Sequence, residues 1–126
     1  SKKNILILWG NGKAQREVIH VDDIANACVY FMNKKKTPTV INIGTGKDYS
    51  IKYYAKLVAK IILPNKKIII KYDLSKPSGV KRKVMDVSLA RKYGWKYTIN
   101  IEKAILNTYQ SYKTENRSKK WKILLL

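Results

Sequence analysis

Trp9 and Arg16 are the residues of this chain best suited to holding a phosphorylated ligand. They flank a short turn, Gly10-Asn11-Gly12, that separates an apolar run at 5–9 from a second extended run at 17–21. An indole offers a flat stacking face, and a guanidinium offers a fork of donors that fits phosphate oxygens. Because glycine and asparagine tolerate turn angles, the pattern predicts a β-hairpin with the two side chains on either side of its tip. Such a pair suits a nucleotide or a nucleotide-sugar.

A cationic triplet provides a second group of phosphate-binding character. Lys81-Arg82-Lys83 comes at the end of a predicted loop at 73–82, whose turn is Lys76-Pro77-Ser78-Gly79. Two interpretations have equal weight. The triplet is either a solvated turn, or it lies opposite Arg16 and completes a clamp on a diphosphate.

Three other motifs favour structural roles. Gly44-Thr45-Gly46-Lys47 lacks both the glycine spacing and the following hydroxyl residue of a phosphate loop, so a tight strand-to-helix turn is predicted. Tyr109 and Lys113 have Tyr-x-x-x-Lys spacing, but tyrosine and lysine are abundant here and a chance pair is predicted. His20, the only histidine, is predicted to be a satisfied core residue. With no second histidine and no cysteine cluster, no zinc site is expected.

The apolar periodicity predicts an α/β chain of short strands and helices. Asp22 is predicted to cap a helix whose apolar face includes Cys28, with Asp23 in its first turn. Ser50 and Asn100 are predicted to cap two further helices. The remaining predicted elements are strands at 40–43 and 68–72 and a short helix at 89–93, which Gly94 ends and on which Trp95 packs.

Length and composition favour one domain with its own core. The chain has 126 residues, 45% of them hydrophobic, and no apolar run long enough to span a bilayer. Its first residues do not have the pattern of a signal peptide. A single cysteine, Cys28, is predicted to be a buried structural thiol. One cysteine makes no internal disulfide and fits a reducing, cytoplasmic location.

The net charge of +19 leaves two interpretations open. Such a charge attracts nucleic acid, phosphates or acidic membrane, but it is spread along the chain and is mostly lysine. Diffuse compositional charge is therefore favoured over a dedicated polyanion site. The basic and apolar tail at 117–126 is expected to be disordered, with a weak membrane-surface anchor as the alternative.

Taken in order, these motifs resemble one family. The stretch from Trp9 to Asp23 is similar to the middle of GDP-L-fucose synthase, an extended short-chain dehydrogenase/reductase of the NAD-dependent epimerase/dehydratase family. The likeness covers roughly residues 5–113. It also includes Asn42-Ile43-Gly44-Thr45-Gly46, Ser75-Lys76-Pro77-Ser78-Gly79-x2-Arg82-Lys83-x2-Asp86 and Gly94-Trp95.

The resemblance implies a Rossmann-type α/β fold and a defined chemistry. The family converts GDP-4-keto-6-deoxymannose to GDP-L-fucose by two epimerisations and a reduction with NADPH. Trp9, Arg16, Ser78 and Lys83 fall on substrate-binding positions, although the family usually has aspartate where this chain has Ser78. The family's glycine-rich NADP loop, its Ser-Tyr-Lys triad and its epimerisation residues are not in this sequence. No catalytic, cofactor-binding or metal-binding residue is therefore assigned.

The resemblance thus implies that residues 1–116 are a substrate-binding lobe, inactive without the NADP-binding half. That half is a possible separately encoded partner, and the faces that would lean on it are expected to be exposed. Two alternatives stay open. One is a basic, non-enzymatic module that binds nucleic acid or another polyanion, and the other is a remnant of a split gene.

Overall fold

A computed structural model describes the backbone of residues 4–123 and the side chains of residues 4–115. The chain is α/β, as predicted. Its elements in order are β1 (Ile5–Trp9), β2 (Gln15–Glu17), α1 (Val21–Met32), β3 (Asp48–Ser50), α2 (Ile51–Ile62), β4 (Ile69–Asp73), β5 (Arg82–Lys83), α3 (Ser88–Lys92) and α4 (Ile101–Ile123). The prediction of a disordered tail concerns residues 117–126, whose side chains lie outside the described residues, and it stays a prediction.

The strands form two small sheets, and the predicted hairpin is wrong. β1 pairs in parallel with β4, from Ile5 opposite Ile69 to Trp9 opposite Asp73. β2 lies in the other sheet, between antiparallel β3 and parallel β5. The chain leaves the first sheet at Gly10, whose N–H donates to the Asp73 carbonyl at 2.8 Å. The turn therefore carries the chain from one sheet to the other instead of folding it back on β1.

The first helix, α1, is capped by His20 and not by Asp22. The imidazole Nδ1 accepts a hydrogen bond from the Asp22 N–H at 3.2 Å. Asp23 lies in the first turn, as predicted, but it is only 3% exposed. Its carboxylate accepts from the N–H and hydroxyl of Thr98, each at 2.9 Å, and from the Ile99 N–H at 3.0 Å. Asp23 thus ties α1 to the segment that leads into α4.

The core is small and lies where α1 meets the end of α3. Ala27, Ala90 and Trp95 form its buried centre, and Trp95 donates through its indole N–H to the Asn26 side chain at 3.0 Å. Gly94 has a φ of +88°, so the predicted left-handed helix end before Trp95 is confirmed. The partly buried residues around this centre are Ile19, Tyr30, Phe31, Ile41, Ile43 and Tyr97.

Two further predictions about this region are wrong. Cys28 is exposed, because Ala27 takes the inward position and the next residue is turned about 100° around the helix. Residues 40–43 form no strand, since no neighbouring strand pairs with them. Ile41 and Ile43 still pack on the core, and the Asn42 side chain donates to the Asp86 carbonyl at 3.2 Å.

The predicted caps of the later helices are confirmed. Ser50 accepts from the Tyr53 N–H at 3.1 Å at the start of α2, and Asn100 accepts from the Lys103 N–H at 2.9 Å at the start of α4. The strand predicted at 68–72 is β4, displaced by one residue, and the short helix predicted at 89–93 is α3. Within the described part of the chain, no helix is both long and apolar enough to cross a membrane.

The Asp23 contacts predict a large stability difference between two adjacent acids. Asp23→Ala leaves three donors without their acceptor and is expected to lower the free energy of unfolding by about 3 kcal/mol. Asp22→Ala removes an exposed first-turn charge and is expected to cost only about 0.5 kcal/mol. Urea denaturation of both variants measures the difference, and equal losses would contradict the role given to Asp23.

Candidate functional site

Two of the predicted binding residues lie side by side in the three-stranded sheet. Arg16 in β2 and Lys83 in β5 are register partners in a parallel pair. Side chains of register partners project from the same side of a sheet, with their strands about 4.8 Å apart. The structure therefore presents two cations together on one sheet face. A diphosphate could contact both.

The Arg16 guanidinium is held against the loop at 74–80. Its Nη1 donates to the carbonyls of Gln15 and Val80, both at 2.7 Å. A Cβ added at Gly79 would lie 3.1 Å from Nη2, so the loop approaches the guanidinium closely there. Nη2 makes no hydrogen bond within the described part of the chain. Arg16 is thus oriented through one nitrogen and keeps donor capacity at the other.

The same loop also contacts Trp9, at the end of β1, and the turn that follows it. Ser78 is the loop residue that touches this turn. Trp9 ends β1 with 68% of its surface exposed, and the Lys76 ammonium lies 5.7 Å from its ring centre. The Ser78 hydroxyl accepts from the Asn11 N–H at 3.3 Å. A Cβ on Gly10, whose φ is +68°, would lie 2.4 Å from that hydroxyl, so only glycine permits this packing.

A continuous set of contacts therefore joins all four predicted binding residues. Ser78 touches the turn that follows Trp9, the adjoining loop residues touch Arg16, and Arg16 neighbours Lys83 in the sheet. The predicted hairpin is wrong, but the loop at 74–80 contacts both the turn that follows Trp9 and the Arg16 guanidinium. Their binding roles stay a prediction.

The middle residue of the cationic triplet, Arg82, forms an ion pair within the protein. Arg82 forms a two-point ion pair with Asp48 in β3, with Nε–Oδ2 at 2.5 Å and Nη2–Oδ1 at 3.1 Å. Hydrogen bonding by Arg82 lowers the pKa of Asp48, and the same contact raises the pKa of Arg82. Arg82 therefore joins β5 to β3 across the sheet. Only Lys83 of the triplet is left in register with Arg16.

Glu17 has a structural role that the sequence analysis missed. Its Oε1 accepts from the Thr45 N–H, from the Thr45 hydroxyl at 3.1 Å and from the Gly46 N–H at 2.7 Å, while Oε2 accepts from the Met85 N–H at 2.7 Å. The strand-to-helix turn predicted at 44–47 is therefore wrong: no strand directly precedes it, β3 follows it, and its Thr45 and Gly46 N–H groups bind the Glu17 carboxylate. Local spacing gave no signal of this, because the partners are 28 to 68 residues away along the chain.

A cavity of about 350 Å³ opens beside Lys83. Glu17 and Gly44 also line it, and its other lining residues are apolar: Ile19, Ile43, Val84 and Met85. A charged side chain in a mostly apolar cavity is an arrangement that binding sites use to orient a ligand. The cavity adjoins the Arg16–Lys83 face and extends the candidate site.

The remaining candidates are structural. His20 is 8% exposed, which confirms a core histidine. The Lys113 ammonium lies 5.2 Å from the centre of the Tyr109 ring, on the exposed part of α4. No three histidine, cysteine or acidic residues are grouped as metal ligands in the described part of the chain.

Comparison with known proteins defines the family. Residues 1–44 match the model of the NAD-dependent epimerase/dehydratase family. The chain is 37% identical over 117 residues to GDP-L-colitose synthase of Yersinia pseudotuberculosis, covering 92% of this chain and 37% of that protein. It is 34% identical over 114 residues to GDP-L-fucose synthase of Escherichia coli, covering 83% of this chain and 35% of that protein.

Over most of its length the chain is similar to enzymes of the NAD-dependent epimerase/dehydratase family. A solved family member, a GDP-mannoheptose C4 reductase from Campylobacter jejuni with NADP bound, superposes with a TM-score of 0.72 at 37% identity over 90% of this chain and 36% of that one. The Rossmann-type α/β fold class is therefore confirmed. The chain spans little more than a third of each of these relatives.

The described residues do not fit the NADP that this relative holds. Gly10 and Gly12 are the glycines nearest a strand end, but each contacts protein. A Cβ on Gly12 would lie 2.8 Å from the Tyr72 ring, and one on Gly10 would overlap Ser78. The N–H groups of the Gly44–Gly46 turn are taken by Glu17. We therefore assign no dinucleotide site within the described residues.

The Asp48–Arg82 pair predicts how stability of the sheet depends on pH. The folded pKa of Asp48 lies below its ordinary value of 3.8, so the unfolded chain takes up this proton first as the pH falls. The stabilisation is complete above the ordinary value and is lost as the pH falls through the lowered folded value. Asp48→Asn should therefore make acid unfolding less steep, as measured by denaturant titrations between about pH 5 and 2. In an Arg82→Ala background the same change should have no further effect.

Proposed function

We propose that this chain is the GDP-sugar-binding part of a GDP-L-fucose synthase-like protein, and that it is inactive without the NADP-binding half. In this proposal the whole assembly acts on GDP-4-keto-6-deoxymannose or a close relative as a 3,5-epimerase and 4-reductase. The observation that carries the proposal is the pairing of Arg16 with Lys83 on one sheet face, beside exposed Trp9 and Ser78. The match to the family model and the names of the relatives support it.

Each residue has a proposed contact. Arg16 and Lys83 bind the diphosphate, because a fork of donors and a point charge together neutralise adjacent phosphates. Trp9 offers its exposed ring to the base or sugar. Ser78 offers a hydroxyl where the resemblance implies an aspartate, so it can hold a ligand hydroxyl but supplies no charge.

Hydride transfer requires a nicotinamide held against the substrate ketone. The described residues supply no site for it, and we therefore propose that the reduction depends on a second body carrying NADP. The exposed side of α1 is where we propose that body docks. Val21, Val29 and Met32 recur on one helix face, and Met32 is 82% exposed. An apolar stripe of this kind marks a protein contact.

Affinity for GDP tests the diphosphate contact directly. Arg16→Ala removes a charged two-nitrogen donor and is expected to raise the Kd about 30-fold, measured by calorimetry with GDP. Lys60→Ala, on the exposed side of α2, removes the same net charge and is the matched control, with no change in Kd expected. If both variants bind like the unmodified chain, or if the unmodified chain does not bind GDP with or without the dinucleotide half, the proposal fails.

Retention on DNA that survives Arg16→Ala and declines smoothly with salt would favour the polyanion alternative.

The α1 stripe predicts self-association of the isolated chain. Val29→Gln with Met32→Gln replaces apolar surface on this stripe by polar surface, and it should reduce the associated fraction in sedimentation velocity. Val80→Gln, an exposed apolar residue on the distant loop, is the control and should leave association unchanged. Equal effects from both changes would mean that α1 is not a specific contact face.

A further inference from the structure

β5 carries Lys83, and apart from the Arg82–Asp48 ion pair the strand has little of its own to hold Lys83 in place. It has two residues, both exposed, and only two register pairs with β2. A two-residue strand makes too few ladder hydrogen bonds to fix a side chain within the tolerance that a binding site needs. Contacts outside the ladder must therefore set its position.

Two such contacts hold the strand at its ends. Before the strand, the Lys81 carbonyl accepts from the Gln15 N–H at 2.8 Å. After the strand, the Met85 N–H donates to Glu17 Oε2 at 2.7 Å. Glu17 directly follows Arg16 in β2, and Met85 lies two residues beyond Lys83. The Glu17–Met85 bond therefore joins the segment that carries one cation to the segment that carries the other.

The same carboxylate also fixes the Thr45–Gly46 turn, through three hydrogen bonds to Oε1. Four donors from two other segments of chain therefore converge on this one carboxylate, three on Oε1 and one on Oε2. Glu17 holds three segments of chain together beside the cavity that Lys83 borders.

We propose that Glu17 is a positioning residue of the diphosphate site: it sets the position of Lys83 relative to Arg16 by binding the Met85 N–H. The inference rests on the proposed function for its ligand, but the geometry of β5 can be tested without one. Glutamine at position 17 is the sharpest probe. A carboxamide can still accept from the turn through its oxygen, but its NH₂ group then faces the Met85 N–H, donor against donor.

The experiment measures two properties of the full chain. Amide hydrogen exchange at Met85 reports the bond itself, and calorimetry with GDP reports the site. Glu17→Gln is expected to speed exchange at Met85 and to raise the Kd for GDP about tenfold. In a Lys83→Ala background the same change should have almost no effect on Kd, because the group that it positions is already gone.

Asp23→Asn is the matched control. Asp23 is a second carboxylate with three hydrogen bonds to backbone and hydroxyl groups, placed away from β5. This variant should lose stability, yet leave Met85 exchange and the Kd for GDP unchanged in the folded protein. A general effect of destabilisation would instead change these readouts in both variants, which would overturn the proposal.

The remaining outcomes of this experiment also support or overturn the proposal. Unchanged Met85 exchange in Glu17→Gln would overturn the proposal whether or not GDP binds, as would an equal loss of affinity with and without Lys83. If the unmodified chain does not bind GDP, the proposed function fails, and Met85 exchange alone decides whether Glu17 holds β5. If Glu17→Gln does not fold, Met85→Pro removes the same donor from the other side and should raise the Kd to the same extent.

Discussion

The position of β2 between two partners is the constraint on which the candidate site depends. This strand has three residues, and its neighbours β3 and β5 have three and two. It is therefore held largely by side chains. Glu17 binds the turn before β3 and the segment after β5, Arg82 joins β5 to β3, and the Tyr54 hydroxyl donates to the Arg16 carbonyl at 2.8 Å. Burial raises the pKa of Tyr54, which keeps this hydroxyl protonated as a donor.

This arrangement separates the candidate binding groups from the groups that join the strands. Arg16 and Lys83 are register partners, while the charged residues beside them in sequence, Glu17 and Arg82, form internal contacts. Adjacent residues in a strand point to opposite faces. The alternation of β2 and β5 thus places Arg16 and Lys83 on one face of the sheet and the internal contacts of Glu17 and Arg82 on the other.

Residue patterns within one helical turn predicted the helix caps and ends correctly. The pairing of strands that are distant in sequence could not be predicted from such patterns. The caps at Ser50 and Asn100 and the helix end at Gly94 depend on residues within one turn, so spacing alone was sufficient. The partner of β1 lies 64 residues away, and nothing in a glycine-rich turn distinguishes a hairpin from a crossing between sheets. Residue chemistry suggested Trp9 and Arg16 as a pair, but the loop that contacts both of them was visible only in three dimensions.

The two most buried residues in the described part of the chain are alanines. Ala90 is 0% and Ala27 is 1% exposed, whereas Trp95, the largest core side chain, is 3% exposed and no large side chain is completely enclosed. Alanine lets helices and loops approach closely, but it removes little apolar surface from water per residue. The folding free energy of such a chain would be supplemented by whatever covers its apolar surface, and its apparent melting temperature would rise with the concentration of that partner. For this protein, assembly and folding would then be a single equilibrium.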